Sequence, residues 1–122
     1  MRPIAGAAAA ALALLLLPVP PAASARAVPS RLVLSAGERR TELLCSGVPG
    51  GGHPAAARAC AELAAAGGDL DRLPRGSALC PMVYQPVTAA ADGLWDGRRV
   101  HWSQEFANAC ILRRATGTVF AF

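Results

Sequence analysis

Four cysteines constrain the fold of this chain of 122 residues more than any other feature. They are Cys45, Cys60, Cys80 and Cys110. An even number of cysteines in a short exported chain predicts disulfide bonds, whereas zinc sites use a close C-x-x-C spacing that these cysteines lack. Four cysteines allow three pairings, and their spacing alone does not choose among them. We therefore expect a small domain stabilised by disulfides, with no metal ion and no cofactor.

The N-terminus predicts that the chain is exported. Arg2 precedes an apolar run over residues 4–17, and the small residues Ala23-Ser24-Ala25 follow after several prolines. This order is typical of a secretory signal peptide that is cleaved after Ala25. A membrane anchor is disfavoured, because the run is shorter than the ~20 residues that span a bilayer. We therefore expect a signal peptide over residues 1–25 and one secreted, extracellular domain over residues 26–122, with no membrane attachment after cleavage.

The charges of the chain do not indicate a nucleic-acid-binding protein. All twelve basic residues are arginines, and eight residues are acidic. The arginines are scattered along the sequence in pairs, whereas nucleic-acid-binding proteins usually cluster them on one face together with stacking aromatic residues. We therefore expect a solvated basic surface and no nucleic-acid partner.

The apolar pattern predicts two β-hairpins. Residues 31–35 have the alternation of a strand, with Leu32 and Leu34 on one face; residues 41–45 show it less cleanly, and Ala36-Gly37 and polar residues separate the two segments. Asp96-Gly97, which favours a two-residue hairpin turn, lies between two apolar segments at residues 87–95 and 98–106. Trp95, Val100 and Trp102 are expected to share one face of the resulting sheet.

Helices are predicted between the hairpins and after them. Pro54 suits the first turn of a helix that runs to residue 66, where Gly67-Gly68 ends it. Cys60, Leu63 and Ala64 are expected to share one face of this helix. Short helical turns are expected at residues 70–73 and 110–114, and the glycine-rich residues 46–52 are expected to form a loop.

The C-terminal half is expected to supply most of the core, because every aromatic residue lies between Tyr84 and Phe122. Asp92-Gly93, inside the first arm of the second hairpin, predicts a β-bulge or, as the alternative, the turn itself. Residues 118–122 have no polar face, which predicts a central strand of the sheet.

The segment Cys80-Pro81-Met82-Val83-Tyr84-Gln85-Pro86 has the features of a protease-binding loop. Each proline restricts the residue before it to extended geometry, so Cys80 and Gln85 are both expected to be extended. Three apolar residues lie between these two points, and Cys80 offers a covalent anchor. Protease clefts bind their substrates as an added strand, so the segment fits such a cleft. The alternative interpretation is a half-buried strand that contains a cysteine.

No catalytic site is indicated by the sequence. A hydrolase needs a nucleophile and a base, but the chain has no G-x-S-x-G motif and only two histidines, His53 and His101. We interpret His53, which precedes Pro54, as a loop or helix-start residue. His101 alternates with apolar neighbours and is expected on the solvent side of a strand. The chain is therefore not expected to be an enzyme.

A series of short segments, taken together, carries a family resemblance. They are His53-Pro54, Ala59-Cys60-Ala61-Glu62-Leu63-Ala64, Gly67-Gly68-Asp69-Leu70, Cys80-Pro81-Met82-Val83-Tyr84, Asp92-Gly93-Leu94-Trp95, Gly97-Arg98-Arg99-Val100, Phe106-Ala107-Asn108 and Val119-Phe120-Ala121-Phe122. Over essentially all of residues 26–122, the chain resembles the subtilisin inhibitor family of secreted actinobacterial serine protease inhibitors. It departs from the family pattern at Gln85, where an acidic residue is common, and in a slightly short connector before Cys80.

The resemblance implies an α+β fold with an antiparallel sheet of about five strands, two short helices packed on it, and a homodimer joined through the sheet. It also implies the disulfides Cys45–Cys60 and Cys80–Cys110. The implied function is that of a rigid, substrate-like decoy for subtilisin-like proteases, with a reactive bond between Met82 and Val83. The other residues implied to contact the protease are Leu79, Cys80, Pro81, Tyr84 and Gln85. The alternative is a secreted, disulfide-rich binding module with a non-protease partner.

Overall fold

A computed structural model describes residues 1–19 and 28–122, and its helices and strands all lie in the second range. Residues 1–19 form neither helix nor strand. Across both described ranges, no helix combines the length and apolar character that a membrane span requires. The predicted cleavage sequence, Ala23-Ser24-Ala25, lies outside the described residues.

Five antiparallel strands of the described chain form one sheet, in the order β3-β2-β1-β4-β5. They are β1 (Arg31–Ala36), β2 (Arg39–Leu44), β3 (Gly50–Gly51), β4 (Val87–Trp95) and β5 (Arg98–Phe106). Both predicted hairpins, β1–β2 and β4–β5, are confirmed, and pairing of β1 with β4 joins them at the centre of the sheet. With two helices packed on the sheet, the predicted α+β class is also confirmed.

The turn between β4 and β5 has the backbone that its sequence predicts. Asp96 and Gly97 both have positive φ angles, of 47° and 75°. A type I′ turn needs positive φ at both positions, which is why Asp-Gly is favoured there. The amide of Asp96 also donates to the hydroxyl of Ser30 at 2.9 Å, so this turn is fastened to the residue that precedes β1.

The predicted bulge or turn at Asp92-Gly93 is wrong, because β4 keeps an unbroken register with both β1 and β5 through these residues. Gly93 has a φ of 147°, and a Cβ atom at this position would overlap the carbonyl oxygen of Arg31. The glycine therefore allows the backbones of β1 and β4 to approach closely, and it does not change the direction of the chain.

Two α-helices and one 3₁₀ turn complete the fold: α1 (Ala56–Ala65), α2 (Ala109–Thr116) and the 3₁₀ turn (Leu70–Arg72). α1 ends as predicted, where Gly67 and Gly68 take positive φ angles. Its buried residues are Ala59, Cys60 and Leu63, whereas Ala64 is exposed. α2 extends beyond the single turn predicted at residues 110–114.

The predicted C-terminal strand at residues 118–122 is wrong. This segment forms turns after α2: the amide of Thr118 donates to the Glu62 carboxylate, that of Val119 to the carbonyl oxygen of Thr116 and that of Ala121 to the carbonyl oxygen of Thr118. Nε2 of His53 lies 3.1 Å from the carbonyl oxygen of Thr118 and 2.9 Å from that of Val119, so these acceptors are occupied. Val119 and Phe120 are nevertheless fully buried, so the apolar run marks the core without forming a strand. The fifth strand is instead the short β3, inside the predicted loop.

The core lies on one face of the sheet, beneath both helices. The strands contribute Leu32, Leu34, Ala36, Leu43, Ala89, Ala91, Trp95 and Phe106. Trp95 shares this face with the partly buried Val100 and Trp102, as predicted. Because three fully buried leucines come from β1 and β2, the prediction of a mainly C-terminal core is wrong in part. No described helix covers the opposite face, which we call the open face and which carries half-buried Val33 and exposed Leu94.

All four cysteines are paired, so the chain has no free thiol. Cys45–Cys60 joins the residue after β2 to α1, and Cys80–Cys110 joins the connector before β4 to the first turn of α2. These are the pairs that the family resemblance implies. A bridge that closes a loop of ~15 residues stabilises a domain by roughly 3 kcal/mol in the chain-entropy model, so both bridges matter in a domain of this size.

Candidate functional site

A run of large apolar and aromatic side chains is exposed in the connector between the 3₁₀ turn and β4. The side chains of Met82 and Leu79 are as exposed as in an extended chain, at 102% and 97%, and Tyr84 is 75% exposed. We call residues 79–85 the Met82 loop; it has no regular secondary structure and carries no charged side chain. Contiguous exposed apolar side chains mark an interaction surface. The predicted contact residues therefore lie together on one such surface.

The Cys80–Cys110 disulfide attaches the Met82 loop to α2. Its two Cα atoms are 5.6 Å apart, and Cys80 stands just two residues before Met82. Because Cys110 lies in the first turn of α2, the covalent anchor is made to a regular helix packed on the core, so the N-terminal side of the loop cannot move far from the body.

Asn108 supports the tip of the loop from below. Its Oδ1 accepts a hydrogen bond from the amide of Ile111 at 2.9 Å and so caps the N-terminus of α2. Its Nδ2 donates to the carbonyl oxygens of Pro81 and Val83, at 3.1 and 2.8 Å. The side chain is buried, with a residue exposure of 6%. One amide group therefore holds the backbone on both sides of Met82 and ties it to the start of a helix.

Backbone hydrogen bonds hold the C-terminal end of the loop and the connector that precedes it. The amide of Gln85 donates to the carbonyl oxygen of Ala107 at 2.8 Å, and the amide of Gly76 donates to that of Arg114 at 2.8 Å. Ala107 precedes α2, and Arg114 lies in its last turn. The anchor at Gln85 uses only main-chain atoms, so the departure from the family's acidic residue at this position leaves the anchor intact.

The loop is held at these points and is not packed along its length. A groove of about 380 Å³ separates it from α2 and is lined on the body side by Ala107, Ile111 and Arg114. Arg114 is the charged residue that lines this groove. Because hydrophobic packing beneath the loop is sparse, its conformation depends on Asn108, the disulfide and the backbone bonds.

Neither histidine is placed to activate a nucleophile. His53 is buried at the start of α1; its Nδ1 accepts from the amide of Ala55 at 3.0 Å, and its Nε2 donates to the C-terminal carbonyl groups. His101 is exposed on β5, where it bonds to Asp92. These positions agree with the predictions of a helix-start residue and a solvent-facing strand residue. In the described ranges, no group of three or more His, Cys, Asp or Glu side chains could hold a metal ion.

The sequence analysis did not identify Asn108 as a site residue. Two signals pointed to it: asparagine is favoured at helix N-caps, and Cys110 follows two residues later. Neither signal reveals the bonds to Pro81 and Val83, because those residues lie more than twenty positions earlier in the chain.

The domain that carries the Met82 loop is similar in sequence and in structure to known protease inhibitors. Residues 26–108 match the family described as subtilisin inhibitor-like. Over 112 residues the chain is 46% identical to the subtilisin inhibitor of Streptomyces albogriseolus, covering 83% of this chain and 78% of that one. It is 43% identical over 105 residues to plasminostreptin of Streptomyces antifibrinolyticus, covering 77% and 96%. A crystal structure of Streptomyces caespitosus sermetstatin in complex with Bacillus licheniformis subtilisin superposes with a TM-score of 0.67, at 37% identity, covering 77% of this chain and 99% of that one.

Proposed function

Because this chain belongs to the subtilisin inhibitor-like family, we propose that it inhibits subtilisin-like serine proteases and that Met82–Val83 is its reactive bond. The observation that carries the proposal is the fully exposed Met82 side chain on a backbone that Asn108 and a disulfide hold on both sides. As a member of this inhibitor family, the chain is not an enzyme.

The Met82 loop would enter the protease cleft as a preformed strand. Met82 occupies the primary pocket, while Leu79, Pro81, Val83 and Tyr84 fill the neighbouring subsites. Ordering a flexible loop on binding reduces affinity, and this loop is ordered before it binds. Its anchors therefore lower the entropy cost of binding, so that a contact surface of ordinary size can give a tight complex.

The same anchors would make the loop a poor substrate. If the protease attacks the Met82 carbonyl carbon, the new amino group at Val83 stays near the acyl group, because Asn108 still holds the Val83 carbonyl and the disulfide still holds Cys80. Effective concentrations of well-oriented groups reach ~10⁵–10⁸ M, so reformation of the bond outcompetes water. The complex is then inhibited and is hydrolysed only slowly.

An inhibition assay with the purified chain tests this proposal against the binding-module alternative. We expect strong, stoichiometric inhibition of a subtilisin-like protease and weak inhibition of trypsin. A chain that leaves the subtilisin-like protease fully active at micromolar concentration would overturn the proposal. The alternative of a non-protease partner is not favoured, because relatives of this chain such as those of Streptomyces albogriseolus and Streptomyces violaceus are subtilisin inhibitors.

Secretion is part of the same proposal. Residues 1–25 have the order of a signal peptide, which would direct the inhibitor out of the cell. Recovery of the protein from the culture medium with Arg26 as its first residue would support secretion, and retention of residues 1–25 in the protein from the medium would contradict it.

We further propose that the open face of the sheet pairs with a second copy of the chain. Val33 lies on the central strand, and Leu94 on its neighbour is 36% exposed; both point to the side that lacks a helix. A small domain gains stability by covering such a face. Light scattering that gives twice the chain mass at micromolar concentration is the expected result, and a monomer would contradict the dimer without affecting inhibition.

A further inference from the structure

The thioether of Met82 is open to chemical attack from every side. Its side chain is 102% exposed, and it accepts no hydrogen bond and has no packing partner in the core. The only other methionine in the chain is Met1, which lies in the predicted signal peptide. The proposed function thus rests on the one methionine of the predicted secreted domain, and that residue is fully exposed.

We infer that Met82 is an oxidative modification site, and that its conversion to methionine sulfoxide by a peroxide switches the inhibitor off. This inference rests on the proposed function. A peroxide such as hydrogen peroxide transfers one oxygen atom to the sulfur: the O–O bond breaks, an S–O bond forms, the sulfur loses two electrons and water leaves. A dithiol-dependent methionine sulfoxide reductase reverses the step, the oxygen leaving as water while the dithiol becomes a disulfide.

The cysteines and tryptophans, the other groups of the predicted secreted domain that peroxides attack most readily, are protected. All four cysteines are in disulfides. Trp95 is nearly buried, at 9% exposure, and the indole of Trp102 is partly buried and donates to Asp71. Accessibility governs which side chain a peroxide reaches first, so Met82 is the preferred target.

Oxidation changes the contact residue and leaves the loop backbone in place. The Pro81 and Val83 carbonyl groups remain bonded to Asn108, because the Met82 side chain takes no part in these anchors. The sulfoxide oxygen is a strong acceptor that an apolar primary pocket leaves without a partner, and burying such a group weakens binding by about 10- to 100-fold. The fold itself should be unaffected, since the side chain has no partner to lose.

The test compares the inhibition constant for a subtilisin-like protease before and after treatment with hydrogen peroxide. Peptide mapping by mass spectrometry should show one added oxygen atom at Met82, with inhibition about 10- to 100-fold weaker and an unchanged unfolding midpoint. Methionine sulfoxide reductase should restore inhibition. If Met82 carries the oxygen and the inhibition constant stays the same, the inference is wrong, although the untreated chain still inhibits and the proposed function stands.

Two variants make the result specific to position 82. In Met82→Leu, whatever its starting inhibition constant, peroxide should cause no further change. In the double variant Met82→Leu with Val48→Met, the new methionine takes an exposed site outside the Met82 loop, because Val48 is 89% exposed and lies between β2 and β3. It should gain the oxygen atom and keep its inhibition constant. Loss of inhibition by either treated variant would show that another group is responsible and would overturn the inference.

Discussion

Replacing Asn108 by aspartate separates loop rigidity from folding. The carboxylate has the shape of the amide and can still accept the hydrogen bond from Ile111, so the cap of α2 is kept and is favoured by the helix dipole. It has no N–H group to donate to Pro81 and Val83, and it places a negative charge against their carbonyl oxygens. Asn108→Asp therefore removes the support of the loop alone.

The size of the effect follows from the two bonds that are lost. A neutral hydrogen bond contributes about 1 kcal/mol net, so losing both weakens the held conformation by about 2 kcal/mol. Every 1.4 kcal/mol is roughly a tenfold change, so the inhibition constant should rise about 30-fold. Repulsion between the carboxylate and the carbonyl oxygens increases this further. Because the loop moves more freely after attack, hydrolysis of the inhibitor should also accelerate.

The assay measures the inhibition constant, the rate at which cleaved inhibitor appears, and the unfolding midpoint. Asn108→Ser is the neutral control, because serine can cap the helix but its hydroxyl is too short to reach the loop. Asn108→Ala loses the cap as well, so its stability should fall by about 1 kcal/mol, or about 4–8 °C in midpoint. If Asn108→Asp is folded, inhibits as well as the parent chain and is cleaved no faster, then Asn108 does not maintain the loop.

Three further predictions concern the loop disulfide, the sheet and specificity. Replacing Cys80 and Cys110 together by serine should leave a folded domain that the protease cleaves as an ordinary substrate; unchanged, lasting inhibition would contradict the role of this bridge. Gly93→Ala should lower the free energy of unfolding in urea by more than about 2 kcal/mol, because its Cβ meets the β1 backbone, whereas Gly47→Ala, at positive φ in open space, should lower it by about 1 kcal/mol. Met82→Arg should raise trypsin inhibition by orders of magnitude, because the guanidinium group pairs with the acidic pocket of trypsin-like enzymes; if both inhibition profiles stay unchanged, Met82 is not the primary contact.

Local signals in the sequence were sufficient for the two hairpins of the sheet. Asp96-Gly97 determines a two-residue turn by its backbone preferences, and the register of β4 with β5 follows from that turn. Alternation over residues 31–35 marked β1 because one face of this strand is buried and the other is not. These features depend on neighbours in sequence, so a single sequence contains them.

Features that depend on distant contacts were predicted poorly. Val119 and Phe120 are apolar because they are buried, and burial alone does not distinguish a strand from a turn whose carbonyl groups bond to His53. Gly93 resembles a turn residue, yet its role is set by the backbone of β1 across the sheet. The strand at Gly50–Gly51 is too short to produce any pattern.

The candidate site shows the same division. Its extended apolar segment and the cysteine at its start were evident from Cys80 to Pro86, because prolines and a cysteine act locally, whereas the partner of Cys80 was implied only by the family resemblance. The part that could not be predicted is Asn108, whose side chain bonds to residues 25 and 27 positions earlier. The rigidity of the loop therefore depends on tertiary contacts. The sequence predicts where the loop lies but not the Asn108 side chain that holds it.

The most direct test of the account is to locate the bond that a protease cleaves in this inhibitor. The chain is incubated with a catalytic amount of a subtilisin-like protease until cleaved inhibitor accumulates, the disulfides are reduced, and the new N-terminus is determined by mass spectrometry. We predict a single new N-terminus at Val83, with the two fragments held together by Cys80–Cys110 until reduction. Cleavage at another bond while Met82–Val83 stays intact would contradict the assignment of the reactive bond.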